Sequence, residues 1–292
     1  MESSASKTVL VTGAGRGIGR GIARAAAAAG MRVGLVARSE SELAETAGLI
    51  DAAGGTACAI VADVTDFDAV ARAVEAVERA LGPVDGLVNN AGILGPIAPF
   101  WETPIADWRA VIDIDLAGPA ICARAILPSM VARRRGRIVN VATGMIPTPH
   151  YSAYGCAKAA LVRFSESLAA ELRPHGVAVF ALGPGTVRTA MSMRSLHSPE
   201  GKRWIPGFAR IFDEELDLPM ERPCDLAVAL LSGRHDALSG LLVTPFDDPE
   251  MLAGRLAEIR EKELYVLRLR GFPNKAVERL SAIRRTFVSP AP

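Results

Sequence analysis

Along this chain, short runs of consecutive apolar and β-branched residues alternate with longer alanine-rich stretches whose apolar residues recur every three or four positions. The short runs at 8–12, 32–37, 56–62, 85–89, 137–141 and 176–182 read as strands buried on both faces, because apolar residues fill successive positions instead of alternate ones. The longer stretches at 17–29, 39–53, 66–81, 104–134 and 152–174 read as helices. Strands separated by helices of this length require a parallel sheet covered on both sides, so the pattern predicts a doubly wound α/β fold in three layers, α/β/α. Gly82-Pro83, Arg173-Pro174 and Gly183-Pro184-Gly185 supply helix stops and turns between the units. A last strand is expected at 240–244.

Two segments depart from the alternation. Residues 190–222 mix Met191, Met193, His197, Trp204, Phe208 and Phe212 with charges and prolines just past a strand end, where doubly wound sheets bind ligands, and they read as a substrate lid. Residues 249–292 form a C-terminal extension, helical over 249–264 and basic over 268–285. Residues 1–248 then make one dinucleotide-binding and catalytic domain that includes the lid.

Composition narrows the class. With 292 residues, 50% of them hydrophobic, and a mean hydropathy of +0.24, the chain can bury one large core. Its 33 basic and 32 acidic side chains nearly cancel, which leaves no overall field to recruit nucleic acid or a membrane surface. A local excess exists from Arg255 onward, where nine basic and four acidic residues give +5; it reads first as a solvated helical face and second as an interface or anion site. The cysteines at 58, 122, 156 and 224 are too widely spaced for a metal or redox pair, so they read as reduced thiols, with Cys156 as a small apolar filler. A short polar N-terminus and the lack of any long uncharged apolar run predict a cytoplasmic protein.

Chemistry enters with Tyr154 and Lys158, whose four-residue spacing stacks both side chains on one helix face. A fixed ammonium favours the phenolate over the phenol, so the hydroxyl is expected to exchange its proton near neutral pH, as carbonyl reduction or alcohol oxidation requires. Upstream, Thr12-Gly13-Ala14-Gly15-Arg16-Gly17-Ile18-Gly19 closes the first strand and opens the first helix. Its glycines allow a tight turn and bring backbone N–H groups within reach of a pyrophosphate at the helix N-terminus. The pattern is Thr-Gly-x-x-x-Gly-x-Gly, with isoleucine at 18 where the commoner dinucleotide fingerprint has its third glycine.

With this loop come Asp63-Val64 at the end of the third strand, Asn89-Asn90-Ala91-Gly92 at the end of the fourth, Tyr154 and Lys158, and Pro184-Gly185 with Val187 and Thr189 after the sixth. In that order they resemble the short-chain dehydrogenase/reductase family over about 7–189. The resemblance implies a Rossmann-like fold and a nicotinamide cofactor. It implies that Asp63 accepts the adenine amino group, that 89–92 lie beside the adenine ribose, that 184–189 hold the carboxamide, and that Lys158 holds the nicotinamide ribose hydroxyls. It also implies a homodimer or homotetramer. At the end of the second strand, Ala37 offers no carboxylate to a ribose 2′-hydroxyl, whereas Arg38, with Arg16, can pair with a 2′-phosphate. NADP(H) is therefore expected over NAD(H), which Glu40 and Glu42 keep possible.

Two positions depart from the family pattern. The serine expected thirteen residues before the tyrosine is missing; Thr143 stands eleven before it, as if the loop were two residues short, and its hydroxyl can polarise a carbonyl. Ser152 or a water is the alternative. Asp115 replaces the usual asparagine of a proton relay, and a buried carboxylate there needs a proton or a partner such as Lys158. Tyr151 lacks a lysine four residues on and is expected to line the substrate pocket. An NADP(H)-dependent oxidoreductase acting on an apolar or cyclic ketone or alcohol is the function expected. The alternatives are a non-redox cyclisation, dehydration or epimerisation on the same scaffold, and a nucleotide sensor that uses the basic tail.

Overall fold

The computed structural model describes residues 7–143 and 149–268. Seven parallel strands form one sheet in the order β3-β2-β1-β4-β5-β6-β7. They are β1 (Thr8–Thr12), β2 (Arg32–Ala37), β3 (Thr56–Val61), β4 (Val84–Asn89), β5 (Gly136–Val141), β6 (Val177–Leu182) and β7 (Leu242–Val243). Successive residues of β1 face opposite layers: Val9 and Val11 join one core cluster with Leu35, Phe180 and Leu230, while Leu10 joins the other with Leu87, Val77 and Ile126. That two-sided burial explains why the strands lack polar alternation. Strand order reverses between β1 and β4, so the loops after these two strands flank a crevice.

The helices α1 (Gly17–Ala28), α2 (Glu40–Ala52) and α3 (Phe67–Leu81) lie within two residues of the expected bounds. The stretch 104–134 is not one helix. It divides into α4 (Ile105–Ile112), a π-turn (Asp113–Ala117) and α5 (Gly118–Ala132). Pro119 has no N–H to give the Asp115 carbonyl, so the regular ladder fails at that point and the chain widens by a residue. α6 (Ser152–Leu172) stops before Pro174, and Gly176 (φ 67°) turns the chain into β6.

The lid region consists of α7 (Ala190–His197), α8 (Pro199–Trp204), a 3-10 turn (Pro206–Ala209) and the single turn α9 (Arg210–Asp213). Its far end returns to its start, where the Leu218 N–H donates to the Thr186 carbonyl at 2.7 Å. α10 (Glu221–Leu231) then packs beside α1. The expected helix at 249–264 is two short ones, α11 (Pro249–Gly254) and α12 (Leu256–Glu261), parted at Arg255. Leu252 and Ile259 are buried in the same cluster as Val9 and Phe180, and the Leu242 N–H donates to the Tyr265 carbonyl at 2.8 Å. The described part of the extension therefore shares the main core and covers the free edge of β7. The basic stretch at 269–285 lies outside the described residues. No described helix is long and apolar enough to cross a membrane.

Candidate active site

The crevice begins at the glycine loop. Gly13 (φ 63°) and Gly17 (φ 54°) occupy left-handed backbone that side chains disfavour, and a Cβ on Gly19 would stand 2.2 Å from the Gly13 carbonyl oxygen. α1 begins with no side-chain cap and no acidic residue in its first turn, so its N-terminal N–H groups remain available to an anion. Thr12 and Asn90 hold the loop's shape. Asn90 Nδ2 donates to the Thr12 and Gly13 carbonyls at 3.0 and 3.2 Å, and Thr12 Oγ1 accepts from the Asn90 and Ala91 N–H groups. Neither residue was singled out from sequence for this role, although both lie inside the motifs that were.

Asn89 is the last residue of β4. Its side chain is buried and turned into the sheet, where Nδ2 donates to Asn140 Oδ1 at 2.8 Å and to the Pro119 carbonyl at 3.3 Å. Asn140 Nδ2 in turn donates to Ser165. The alternation of side chains along β4 sends Asn89 inward while Asn90 reaches the loop. At the end of β3, Asp63 Oδ1 accepts from the Thr65 N–H and hydroxyl, and Oδ2 lies 3.8 Å from Arg38. The Thr65 N–H, aided by the Thr65 hydroxyl and Arg38 and opposed by burial, holds this carboxyl below its ordinary value. Arg38 and Arg16 are 66% and 71% exposed beside the crevice, Arg16 with Glu42 at 3.5 Å. Across it, Thr189 caps α7 through a capping box, and its methyl would lie 3.7 Å from a Cβ on Gly17. Pro184 and Val187 are buried and Gly185 is exposed.

On the first turns of α6 the Tyr154–Lys158 pair forms as the spacing predicts, with Lys158 Nζ 5.6 Å from the Tyr154 ring centre. Lys158 Nζ donates to the Val141 carbonyl at 3.0 Å and lies 3.2 Å from Asp115 Oδ2. Asp115 is 0% exposed, and its Oδ1 accepts from the Ile93 N–H at 2.8 Å. The expected partner for a carboxylate at 115 is thus present. Burial raises the Asp115 carboxyl above its ordinary value, against the pull of Lys158 and the Ile93 N–H.

The expected lowering of the Tyr154 phenol is overturned. Its side chain is half-buried; burial raises the phenol more than Lys158 lowers it, and Asp115 raises it further. The phenol therefore keeps its proton at neutral pH. Neighbouring Tyr151 is also raised, first by burial, and packs with Leu94, Ile97, Met191 and Trp204. Phe208 and Phe212 instead pair with each other, ring centres 5.6 Å apart. Thr143 is half-buried at the end of β5, while the loop shortening inferred beyond it falls at 144–148, outside the described residues. Ser152 accepts a hydrogen bond from Trp108 Nε1 at 3.1 Å. Cys156 is exposed rather than a filler, because its place in α6 points away from the face that carries Tyr154 and Lys158. Among the described residues, no group of three or more His, Cys, Asp or Glu side chains could hold a metal ion.

Comparison with known proteins agrees with this geometry. The family model for short chain dehydrogenase matches residues 7–200. A short chain dehydrogenase of Pseudocercospora fijiensis is 36% identical over 278 residues, covering 90% of this chain and 89% of its own. Actinorhodin polyketide ketoreductase with NADPH superposes with a TM-score of 0.76 at 31% identity, covering 84% of this chain and 97% of that one. NAD+-bound xylitol dehydrogenase gives 0.76 at 26% identity, covering 83% and 98%.

Proposed function

Because this chain belongs to the short-chain dehydrogenase family and is an NAD(P)-dependent oxidoreductase acting on CH–OH groups, we propose that it interconverts a ketone or aldehyde and its alcohol with NADP(H), using Tyr154 as acid and base. One juxtaposition supports this most: the Tyr154 phenol stands over a buried Lys158 ammonium beside the crevice that the glycine loop opens. The tight loop that Gly13 and Gly17 make at positive φ, together with the uncapped first turn of α1, fits a pyrophosphate.

Bound there, the cofactor supplies hydride. Gly13, Gly15, Arg16, Gly17, Ile18 and Gly19 would hold the pyrophosphate; Asp63, Val64 and the backbone of Asn89, Ala91 and Gly92 would flank the adenosine; Pro184, Gly185, Val187 and Thr189 would hold the carboxamide. Arg38 and Arg16 favour a 2′-phosphate, since β2 ends in Ala37 without a carboxylate. The Tyr154 hydroxyl gives its proton to the substrate oxygen in reduction and takes it back in oxidation. Lys158 steadies the phenolate left behind, and the Thr143 hydroxyl orients the carbonyl. Leu94, Ile97, Met191 and Trp204 beside Tyr151 suit an apolar or cyclic substrate.

Assembly as a homodimer or homotetramer fits the exposure of Phe100, Ile105 and, at 83%, Trp101 at the entry to α4. The test is a panel of ketones and alcohols followed by nicotinamide absorbance with NADPH and with NADH. Turnover of an apolar ketone, lost in Tyr154→Phe, is expected. Tight NADPH binding with no redox turnover across the panel would favour a non-redox reaction on this scaffold.

A further inference from the structure

Asparagine at 115 could accept the Ile93 N–H as well as aspartate does, through the same oxygen position. What the carboxylate adds is a negative charge, and it adds it in full burial 3.2 Å from the Lys158 ammonium. Gly92 makes that approach possible, because a Cβ there would meet Asp115 Oδ2 at 2.8 Å. The π-turn contributes too, since it carries Asp115 between two helices at the point where Pro119 leaves the Asp115 carbonyl without its usual donor.

Resting on the reading of Tyr154 as acid and base, we propose that Asp115 is a positioning residue that neutralises Lys158, so that the chain keeps Tyr154 as a phenol poised to donate and works best in the direction of carbonyl reduction. An unbalanced ammonium within about 4–6 Å would favour the phenolate by about 1–3 pH units. Pairing it with a buried carboxylate offsets part of that bias, because Asp115 acts on the phenol against Lys158. Among the described residues, no further charge acts on the Tyr154 hydroxyl beyond Lys158 and Asp115. The loop after β4 and α4 bring Ile93, Trp108, Val111 and Ile112; β5 brings the Val141 carbonyl; α7 brings Met191. Tyr151, at the N-cap of α6, is a titratable neighbour on whose hydroxyl Arg194 of α7 acts, while Cys156 of α6 is exposed on another face. Direction follows from the same balance: the phenol keeps its proton for donation to a carbonyl oxygen through neutral pH, while alcohol oxidation, which needs the phenolate, gains as pH rises.

The chain contains three tyrosines, Tyr151, Tyr154 and Tyr265, so phenolate absorbance during an alkaline titration, measured against Tyr154→Phe, isolates Tyr154 in protein without cofactor. Asp115→Asn is expected to lower the Tyr154 midpoint by about one unit or more, Lys158→Met to raise it, and the double variant to return near the unaltered chain. Asp115→Ala provides a second neutral substitution with the same expected direction. The alkaline rise of alcohol oxidation should move down in parallel in Asp115→Asn, with NADPH affinity little changed. An unchanged midpoint in a folded neutral variant overturns the proposal, as does a double variant that stays as low as Asp115→Asn, since the effect would then not pass through Lys158. If the midpoints move as expected but no chain oxidises or reduces any substrate, the acid–base reading of Tyr154 fails while the charge coupling stands.

Discussion

Tyr151 and Tyr154 lie three positions apart at the start of α6, and only the later one has an ammonium on its own face. Tyr154→Phe is therefore expected to keep the fold and the cofactor affinity and to lose turnover by about 10²–10⁴-fold, which single-turnover and binding measurements together would show. Tyr151→Phe should alter KM more than kcat; an exchange of these outcomes would mean that the wrong ring faces the substrate. At the adenosine end, Arg38→Asp should reverse the cofactor preference, because it replaces a phosphate partner with a carboxylate that repels phosphate. Two charge-assisted contacts correspond to a ratio of about ten- to several-hundred-fold, readable by titration with NADPH and NADH. Asp85 tests a different balance. Burial acts to raise its carboxyl, but Arg135, Arg133 and the Thr8 N–H together hold it below the ordinary range. A lowered folded value means that its contribution is complete above the unfolded value of about 3.9 and is lost as pH falls through the folded one. Asp85→Asn should therefore destabilise the chain by about 1–3 kcal/mol at neutral pH, since Arg133 and Arg135 are partly exposed, with the gap from the unaltered chain closing in denaturant titrations at acidic pH.

Elements position these groups through contacts that reach across the chain. The glycine loop is fixed less by its own sequence than by Asn90 behind it and by Arg20, whose guanidinium donates to the Gly15 carbonyl and pairs with Glu45. A methyl at Gly19 would strike both the Gly13 carbonyl and, at 2.3 Å, Asn90 Nδ2. Gly19→Ala is thus expected to push the loop open and weaken nucleotide binding by at least about tenfold, equivalent to about 1.4 kcal/mol, and calorimetric titration would measure it. Unchanged affinity would show that the loop can yield elsewhere. The π-turn between α4 and α5 has a different origin, since a proline one residue inside α5 breaks a ladder that apolar periodicity alone would carry through to 134. Periodicity reports which face is apolar, and it continues across the break; that is why the segment reads as one helix in sequence.

At the scale of the whole molecule, the extension beyond β7 belongs to the main core up to Arg268. Leu252 and Ile259 are buried against it, Tyr265 Oη donates to Asp247, and Arg268 pairs with Glu166 of α6. A chain ending at Asp248 should lose the burial of two large side chains, about 1.5–3 kcal/mol each, and should bare the β7 edge. The expected result is a lower melting temperature and a larger apparent mass, with nucleotide affinity retained because every nucleotide motif precedes Ala190; a folded truncation that no longer binds nucleotide would contradict this. The amino-acid sequence by itself determined the strand and helix order, the glycine loop and the Tyr154–Lys158 face, because these depend on periodicity and on spacings of a few residues. Tertiary structure alone decided that Asn90 grips the glycine loop, that Asp115 of the π-turn reaches Lys158, and that burial outweighs Lys158 at the Tyr154 phenol. Each of these depends on which segments, distant in sequence, pack together and exclude water, and desolvation of that kind has no signature in local spacing.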